Sequence, residues 1–433
     1  MKYPPFVHRA WAPLLLIFYF PGNLWADAAS RLSILPGFKV SVYAANLGHP
    51  RGMALSPEGR LYVCDLEEGR VLELKEGEEP GQAGGKRVVL ENLKKPQSLA
   101  FHGGYLYVGE TDRVSRFAVL NRTLSREDGK TILPLPVKGN HYTRTILFGP
   151  DEKLYVSIGS SCNACLETDE RRAAICRCDP DGSNFEIFAR GLRNTVGLAF
   201  QPGTAQLWAT CNGRDFLGDD LPPECVYKVE QGKHYGWPYS YALRGKIIPD
   251  PEWGRPGIHQ TGLPAFEYQA HAAPLGLAFY TGSQFPADYA KGFFVCFHGS
   301  WNRTIPVGYK VVFVPLDSKG LPGQPLDFLW GFKHGADLVG RPVDVLTGTQ
   351  GELFISDDHG GRIFRVTYEK PKKVNSHRKG HSVTPKPISP QRREDAKFRR
   401  DKTEKNMFSL CLRTSAVKIF AFLPFEIGAL NNH

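Results

Sequence analysis

GMALSPEGRLYVCDLEEGRVLELK, residues 52–75, contains the unit from which the fold is read. A strand runs into a Pro-Gly turn, the short apolar core Leu61–Val63 follows, and after a second glycine turn comes a third strand, Arg70–Lys75. The apolar core recurs as LYV at Leu106–Val108, LYV at Leu154–Val156, LWA at Leu207–Ala209, FFV at Phe293–Val295 and LFI at Leu353–Ile355. Starting from Leu61, the successive spacings are 45, 48, 53, 86 and 60 residues. Each copy is preceded by a strand and turn, as in SLAFHGG, TILFGPDE and GLAFQPGT. Each is followed by a strand that alternates apolar and polar residues, such as CVYKVE and RIFRVTY, a pattern that predicts half-buried strands.

Six repeats of about four strands predict an all-β fold, a six-bladed β-propeller over residues 35–369. A four-stranded blade cannot bury both its faces alone, whereas blades packed face to face around an axis can. Closing the ring also protects the strand edges. No long amphipathic helix interrupts the repeats, which counts against an α/β fold. The long gap between Leu207 and Phe293 reads as an insertion. It holds GRDFLGDDLPPE and the aromatic stretch YGWPYSYALRGKIIPDPEWG, and such insertions collect on the face where ligands bind.

The chain has 433 residues, 42% of them hydrophobic, enough for one large domain with appendages. Its net charge of +10 is not spread evenly. Residues 370–433 hold 15 Lys+Arg and 5 Asp+Glu, so residues 1–369 carry 39 of each sign and are balanced. No nucleic-acid partner is expected for the propeller. The basic, Pro-rich extension 370–433 is too polar to form a core and is expected to be disordered. At the other end, Lys2, His8 and Arg9 precede an apolar run from Trp11 to Phe20 and small residues at Ala26 and Ala28. This is the pattern of a signal peptide, placed at 1–26, and it predicts a secreted or periplasmic protein. Nine cysteines, an odd number, leave at least one thiol unpaired. Cys162 and Cys165 in CNAC read as a local disulfide, a redox pair or half of a metal site. Leu166 stands where a c-type haem motif needs histidine.

Four clusters fall in loops at strand ends. His141 precedes TILFGPDE and could serve as a general base, or as a structural histidine. Arg193 and Asn194 precede GLAF, a place for binding a carboxylate or for a solvated arginine. Asp215, Asp219, Asp220 and Glu224 lie among glycines in CNGRDFLGDDLPPE, a composition that suits oxygen-liganded calcium or a polar turn. HGSWNRT brings Trp301, Asn302 and Arg303, and GRPVDV brings Arg341 and Asp344. Cations in a body without excess charge point to an anionic ligand, or to structural ion pairs.

In order along the chain, the motifs His141–Gly159, Gly191–Pro202, Asn212–Glu224, Gly232–Pro238 and Ala273–Tyr280 resemble the soluble pyrroloquinoline-quinone (PQQ) dependent glucose/sorbosone dehydrogenases. SSCNAC, NGRDFLGDDLPPE and HGSWNRT bring the chain nearer the sorbosone-type branch. The resemblance covers roughly residues 35–368 and implies a quinoprotein that oxidises a sugar, sugar aldehyde or polyol and passes electrons to an external acceptor. It implies His141 as the base and Arg193 and Asn194 over the cofactor, Arg193 near the reactive carbonyls. It further implies Arg341 and Arg303 on the PQQ carboxylates. Calcium would be held in part by the backbone of Gly213 and Arg214, with Asp219, Asp220 and Glu224 in the same loop. Arg214 stands where the glucose dehydrogenases have proline, and Arg303 where they have lysine. The alternatives are a calcium-dependent lactonase-type hydrolase and a non-catalytic binding propeller.

Overall fold

The computed structural model describes residues 28–77, 81–118, 122–255 and 262–369. The expected signal peptide, 1–26, and the basic extension, 370–433, lie outside the described residues.

The repeated apolar cores become the second strands of six sheets, at Leu61–Asp65, Tyr105–Gly109, Leu154–Ile158, Leu207–Cys211, Gly292–Phe297 and Leu353–Asp357. Each sheet is an antiparallel meander, extended in two blades by a short added strand. Among the described residues helix occurs only as short turns, such as the 3-10 turns Arg126–Asp128 and Ala287–Lys291. The first strands, which lie innermost, carry the recurring GMA and GLA triplets because neighbouring blades meet there. A Cβ added at Gly197 would lie 2.2 Å from the Leu275 carbonyl oxygen, and one at Gly276 would lie 2.6 Å from Asp344 Oδ1. In the sixth blade Asp344 occupies this place. Its two oxygens accept from the Met53 and Val345 amides at 2.9 Å each, which ties the sixth blade to the first.

Two features depart from the sequence expectation. The third strands are buried along most of their length rather than on one face, for example Glu224–Val229 and Lys310–Pro315. Blades cover one another on both sides, so the polar residues of the alternation are buried as well and must find partners. Glu73 does so with Arg60 at 3.1 Å and Arg87 at 2.7 Å. The ring is also closed by a strand from the start of the propeller. Phe38–Ala44 pairs antiparallel with Arg362–Tyr368 as the outer strand of the sixth blade, with Phe38 opposite Tyr368. Phe38 anchors this closure, its ring centroid lying 4.8 Å from Phe285 and 4.9 Å from both Phe328 and Tyr368.

Candidate active site

In this topology the segments that enter each first strand and leave each second strand emerge on one face of the ring. His141, Arg193, Arg341 and the loops after residues 158, 211, 297 and 357 therefore all reach that face.

His141 is held by the third blade. Its Nδ1 lies 3.0 Å from the Ser160 carbonyl oxygen and 2.8 Å from Ser160 Oγ, and that hydroxyl donates to the Cys162 carbonyl at 2.6 Å. Both partners of Nδ1 therefore act as acceptors, which places the ring proton on Nδ1 and leaves the Nε2 lone pair open. Burial, and next the positive charge of Arg193, bring the His141 pKa down from 6.5 to about 3, so the ring is neutral at physiological pH. Two buried guanidiniums brace the loop behind it. Arg144 donates to the carbonyls of His141 at 3.0 Å, Thr143 at 2.7 Å and Pro136 at 2.8 Å. Arg172 donates to Gly159 at 3.1 Å, Pro136 at 3.0 Å and also Lys138. Gly159 has no room for a side chain, because a Cβ there would meet His141 Cβ at 2.6 Å and Asn194 Oδ1 at 2.7 Å. His141 and Asn194 thus flank one glycine.

Arg193 is buried, and each of its three side-chain nitrogens donates to a protein acceptor. Its Nε donates to the Asn163 carbonyl at 2.9 Å, Nη1 to the Gly213 carbonyl at 2.6 Å, and Nη2 to Asn163 Oδ1 at 2.9 Å and Asp215 Oδ2 at 2.8 Å. Asp215 Oδ1 accepts from Asn302 at 2.6 Å, which links the fourth and fifth blades. The Asn194 Oδ1 atom is buried without a partner among the described residues.

The residues expected to bind calcium are not gathered around one point. The Gly213 carbonyl is taken by Arg193. Arg214 turns into the insertion, where it grips Asp250 at 2.9 and 2.8 Å. Glu224 is buried, its pKa pushed up to about 7 by burial, and it accepts from the Gly213 amide at 2.8 Å and the Ala273 amide at 3.3 Å. Asp219 and Asp220 hold the HGSWNRT loop instead: Asp220 accepts from Arg303 at 2.8 Å, and Asp219 from the Thr304 amide at 3.1 Å. Among the described residues the one trio of His, Cys, Asp or Glu with ligand atoms within 4.8 Å of each other is Cys162, Cys165 and Glu167. The two cysteines are joined in a disulfide, which settles the reading of CNAC. The remaining described cysteines are free and buried. As arranged, the carboxylates of Asp219, Asp220 and Glu224 are each bonded to a protein donor.

Arg341 presents a different picture. Its backbone amide donates to Asp357 at 2.7 Å, but its guanidinium has no acceptor among the described residues, only the Tyr309 ring at 5.8 Å, and Nε is buried without a partner. Beside it lies a cluster that the sequence reading passed over. His298 Nε2 lies 2.9 and 3.1 Å from the Asp358 oxygens, and Arg51 donates to the same carboxylate at 2.7 Å. Burial opposes the charge on Asp358, yet the bonds from His298 and Arg51 hold its carboxyl well below the usual range. Burial lowers the His298 pKa from its usual value, against the pull of Asp358. The Nε atoms of Arg51 and Arg303 are likewise buried and unpartnered. His298 lies in the same HGS run that drew attention to Trp301. Arg51 occupies the position before the GMA triplet, where a residue reaches the axis. Both signals were present in the sequence.

The six sheets form a six-bladed propeller, and one face of the ring carries Arg341, whose guanidinium has no acceptor among the described residues. The chain belongs to the family described as TrAA12-like, which it matches over residues 32–250 and 258–369. It is 31% identical over 363 residues to an uncharacterized protein of Borreliella burgdorferi, covering 79% of this chain and 93% of that one. It is 24% identical over 405 residues to the pyrroloquinoline quinone-dependent pyranose dehydrogenase of Coprinopsis cinerea, covering 78% of this chain and 54% of that one. Its fold matches the calcium structure of a Trichoderma reesei carbohydrate-active enzyme of family AA12. That match has a TM-score of 0.69 and 23% identity, and covers 78% of this chain and 97% of the other.

Proposed function

We propose that this protein is a PQQ-dependent dehydrogenase that oxidises a sugar, sugar aldehyde or polyol outside the cytoplasm and passes the electrons to an external acceptor. The observation that carries this reading is His141, neutral with Nε2 open, on the same face as Arg341, a guanidinium without an anion. Arg51, Arg303 and Arg341, each with a buried Nε that has no partner among the described residues, would hold PQQ through its carboxylates and carbonyls, with Asn194 and the already bonded Arg193 lying over it. When bound, PQQ supplies the hydride acceptor for the substrate carbon. His141 Nε2 takes the hydroxyl proton, and the Ser160 carbonyl at Nδ1 stabilises the imidazolium that results. The Arg193 charge that depresses the His141 pKa is offset by an anionic ligand, which strengthens the base when the site is filled.

The substrate side is open and aromatic. Phe216 and Trp301 are 71% and 70% exposed, with ring centroids 6.0 Å apart at 86°. They are chain neighbours of Asp215 and Asn302, which are bonded to each other. Two rings at a right angle beside the reacting groups offer apolar faces to the C–H side of a sugar ring. A lactonase-type hydrolase would need a gathered metal and its water, and the scattered carboxylates argue against one.

Reconstitution tests the proposal. Adding PQQ to the purified protein is expected to give saturable binding, followed by bleaching of the oxidised quinone when the right aldose or polyol is supplied. His141→Ala is expected to keep the binding and lose turnover. No PQQ binding, with or without calcium, refutes the reading.

A further inference from the structure

Residues 159–165 connect both candidate reacting side chains through one small ring. Cys162 and Cys165 are bonded, with Cα atoms 6.2 Å apart. Asn163, inside the ring, uses every polar group it has toward the site except its backbone amide. Its backbone carbonyl accepts from Arg193 Nε at 2.9 Å and Trp237 Nε1 at 3.0 Å. Its Oδ1 accepts from Arg193 Nη2 at 2.9 Å and the Asp215 amide at 2.8 Å, and its Nδ2 donates to the Asp215 carbonyl at 3.0 Å. On the other side, the Cys162 carbonyl accepts the Ser160 hydroxyl hydrogen, which obliges Ser160 Oγ to accept from His141.

This stretch has no regular secondary structure to hold it. For one asparagine to direct its main-chain and side-chain carbonyls at the same guanidinium, its backbone must be fixed, at an entropic cost. A four-residue ring provides that constraint locally. Loops this short gain the least global stability from a cross-link, so the bond's effect is on position. Residues 161–165 are half-buried, whereas the other described cysteines are buried. Burial raises the pKa of Cys64, Cys176, Cys178, Cys211, Cys225 and Cys296. They are poor competitors for a thiolate-selective reagent.

We propose that Asn163 is a positioning residue, clamped by the Cys162–Cys165 disulfide, that sets the direction of Arg193 and the tautomer of His141, so that reduction of this one bond detunes the site. The inference rests on the proposed function for its catalytic consequence only. In the switching step a small dithiol gives two electrons and two protons: the Cys162–Cys165 S–S bond breaks to two thiols, and the dithiol closes to its own disulfide.

The experiment compares the full chain oxidised, mildly reduced and alkylated, as Cys162→Ser/Cys165→Ser, and as Asn163→Ala. Peptide mass mapping is expected to find the new label on Cys162 and Cys165 alone. Hydrogen exchange, read without any cofactor, is expected to quicken in the peptides holding His141, Ser160, Arg193 and Gly213–Asp215, and to stay unchanged in the first and sixth blades. PQQ affinity and kcat/KM are expected to fall roughly ten- to a hundredfold, the scale of a misplaced reacting group. The kcat–pH profile is expected to shift as His141 loses its enforced tautomer. Alkylated protein with unchanged exchange around Arg193 overturns the clamp, as does unchanged affinity and turnover in all three altered forms. If the oxidised chain binds no PQQ, the functional reading fails, while the exchange data still decide the clamp.

Discussion

Acidifying the cofactor-free protein tests whether His141 is neutral for the reason given. In the unfolded chain the ring titrates at 6.5; in the fold, burial and then Arg193 hold it down to about 3. Between those values the unfolded chain takes up a proton that the native one refuses, so stability contributed by neutral His141 is lost as pH falls below 6.5. At about 1.4 kcal/mol per pH unit, the loss is roughly 2.7 kcal/mol at pH 4.5 and approaches about 5 kcal/mol near pH 3. His141→Gln cannot titrate. Urea unfolding of both proteins, followed by tryptophan fluorescence between pH 7.5 and 4.5, isolates this one group, because all other titrations are common to the pair. Glu224 is the main opposing one. Its pKa is raised to about 7, so its contribution is present in acid and lost as pH rises through 7, in both proteins alike. The stability gap between wild type and variant is expected to narrow by about 2–3 kcal/mol on going to pH 4.5. Parallel curves would mean that His141 titrates as it does in the unfolded chain, and the argument for a desolvated base beside Arg193 would be refuted.

Three further outcomes follow from the geometry. Phe38→Ala removes the anchor of the ring closure; because Phe38 is half-buried, it is expected to cost about 2–3 kcal/mol in denaturant unfolding, and a loss under about 1 kcal/mol would show that the closing strand holds by its backbone bonds. Trp301→Ala is expected to raise KM for an oxidised sugar severalfold with little change in kcat, as loss of a contact made equally before and during reaction does, and a fall in kcat alone would count against stacking. Since the Gly213 carbonyl already accepts from Arg193 and no carboxylate trio is gathered among the described residues, EDTA is expected to leave the stability of the cofactor-free protein unchanged. A tight ion held at a hundred times its Kd would instead reveal itself as a drop of about 2.7 kcal/mol.

Much of this molecule is written in local pattern. The six apolar cores, the turns before them and the glycine in GLA are short-range features, since strand formation and close packing at the axis depend on the residue and its immediate neighbours. His141 and Arg193 were legible for the same reason: each sits at a fixed offset before a first strand, and that offset delivers it to one face. The burial of the third strands was not legible, because alternation describes a strand's own residues and not the blade packed over it. Cys162 and Cys165 could be counted and spaced, but whether they bond to each other, bind a metal or stay free depends on the loop geometry that brings their sulfurs together.

Local pattern was enough for the class of fold, its six repeats and the loops in which His141 and Arg193 lie. The tertiary structure alone decided who partners whom. Asp358 meets Arg51 across 307 residues, and Asn302 reaches Asp215 across 87. The acidic loop that reads as a cation site spends its carboxylates on Arg303, the Thr304 amide and the amides of Gly213 and Ala273. A carboxylate has the same composition whether it awaits an ion or already satisfies a buried donor, and the choice is made by desolvation and proximity, which exist only once the ring has closed.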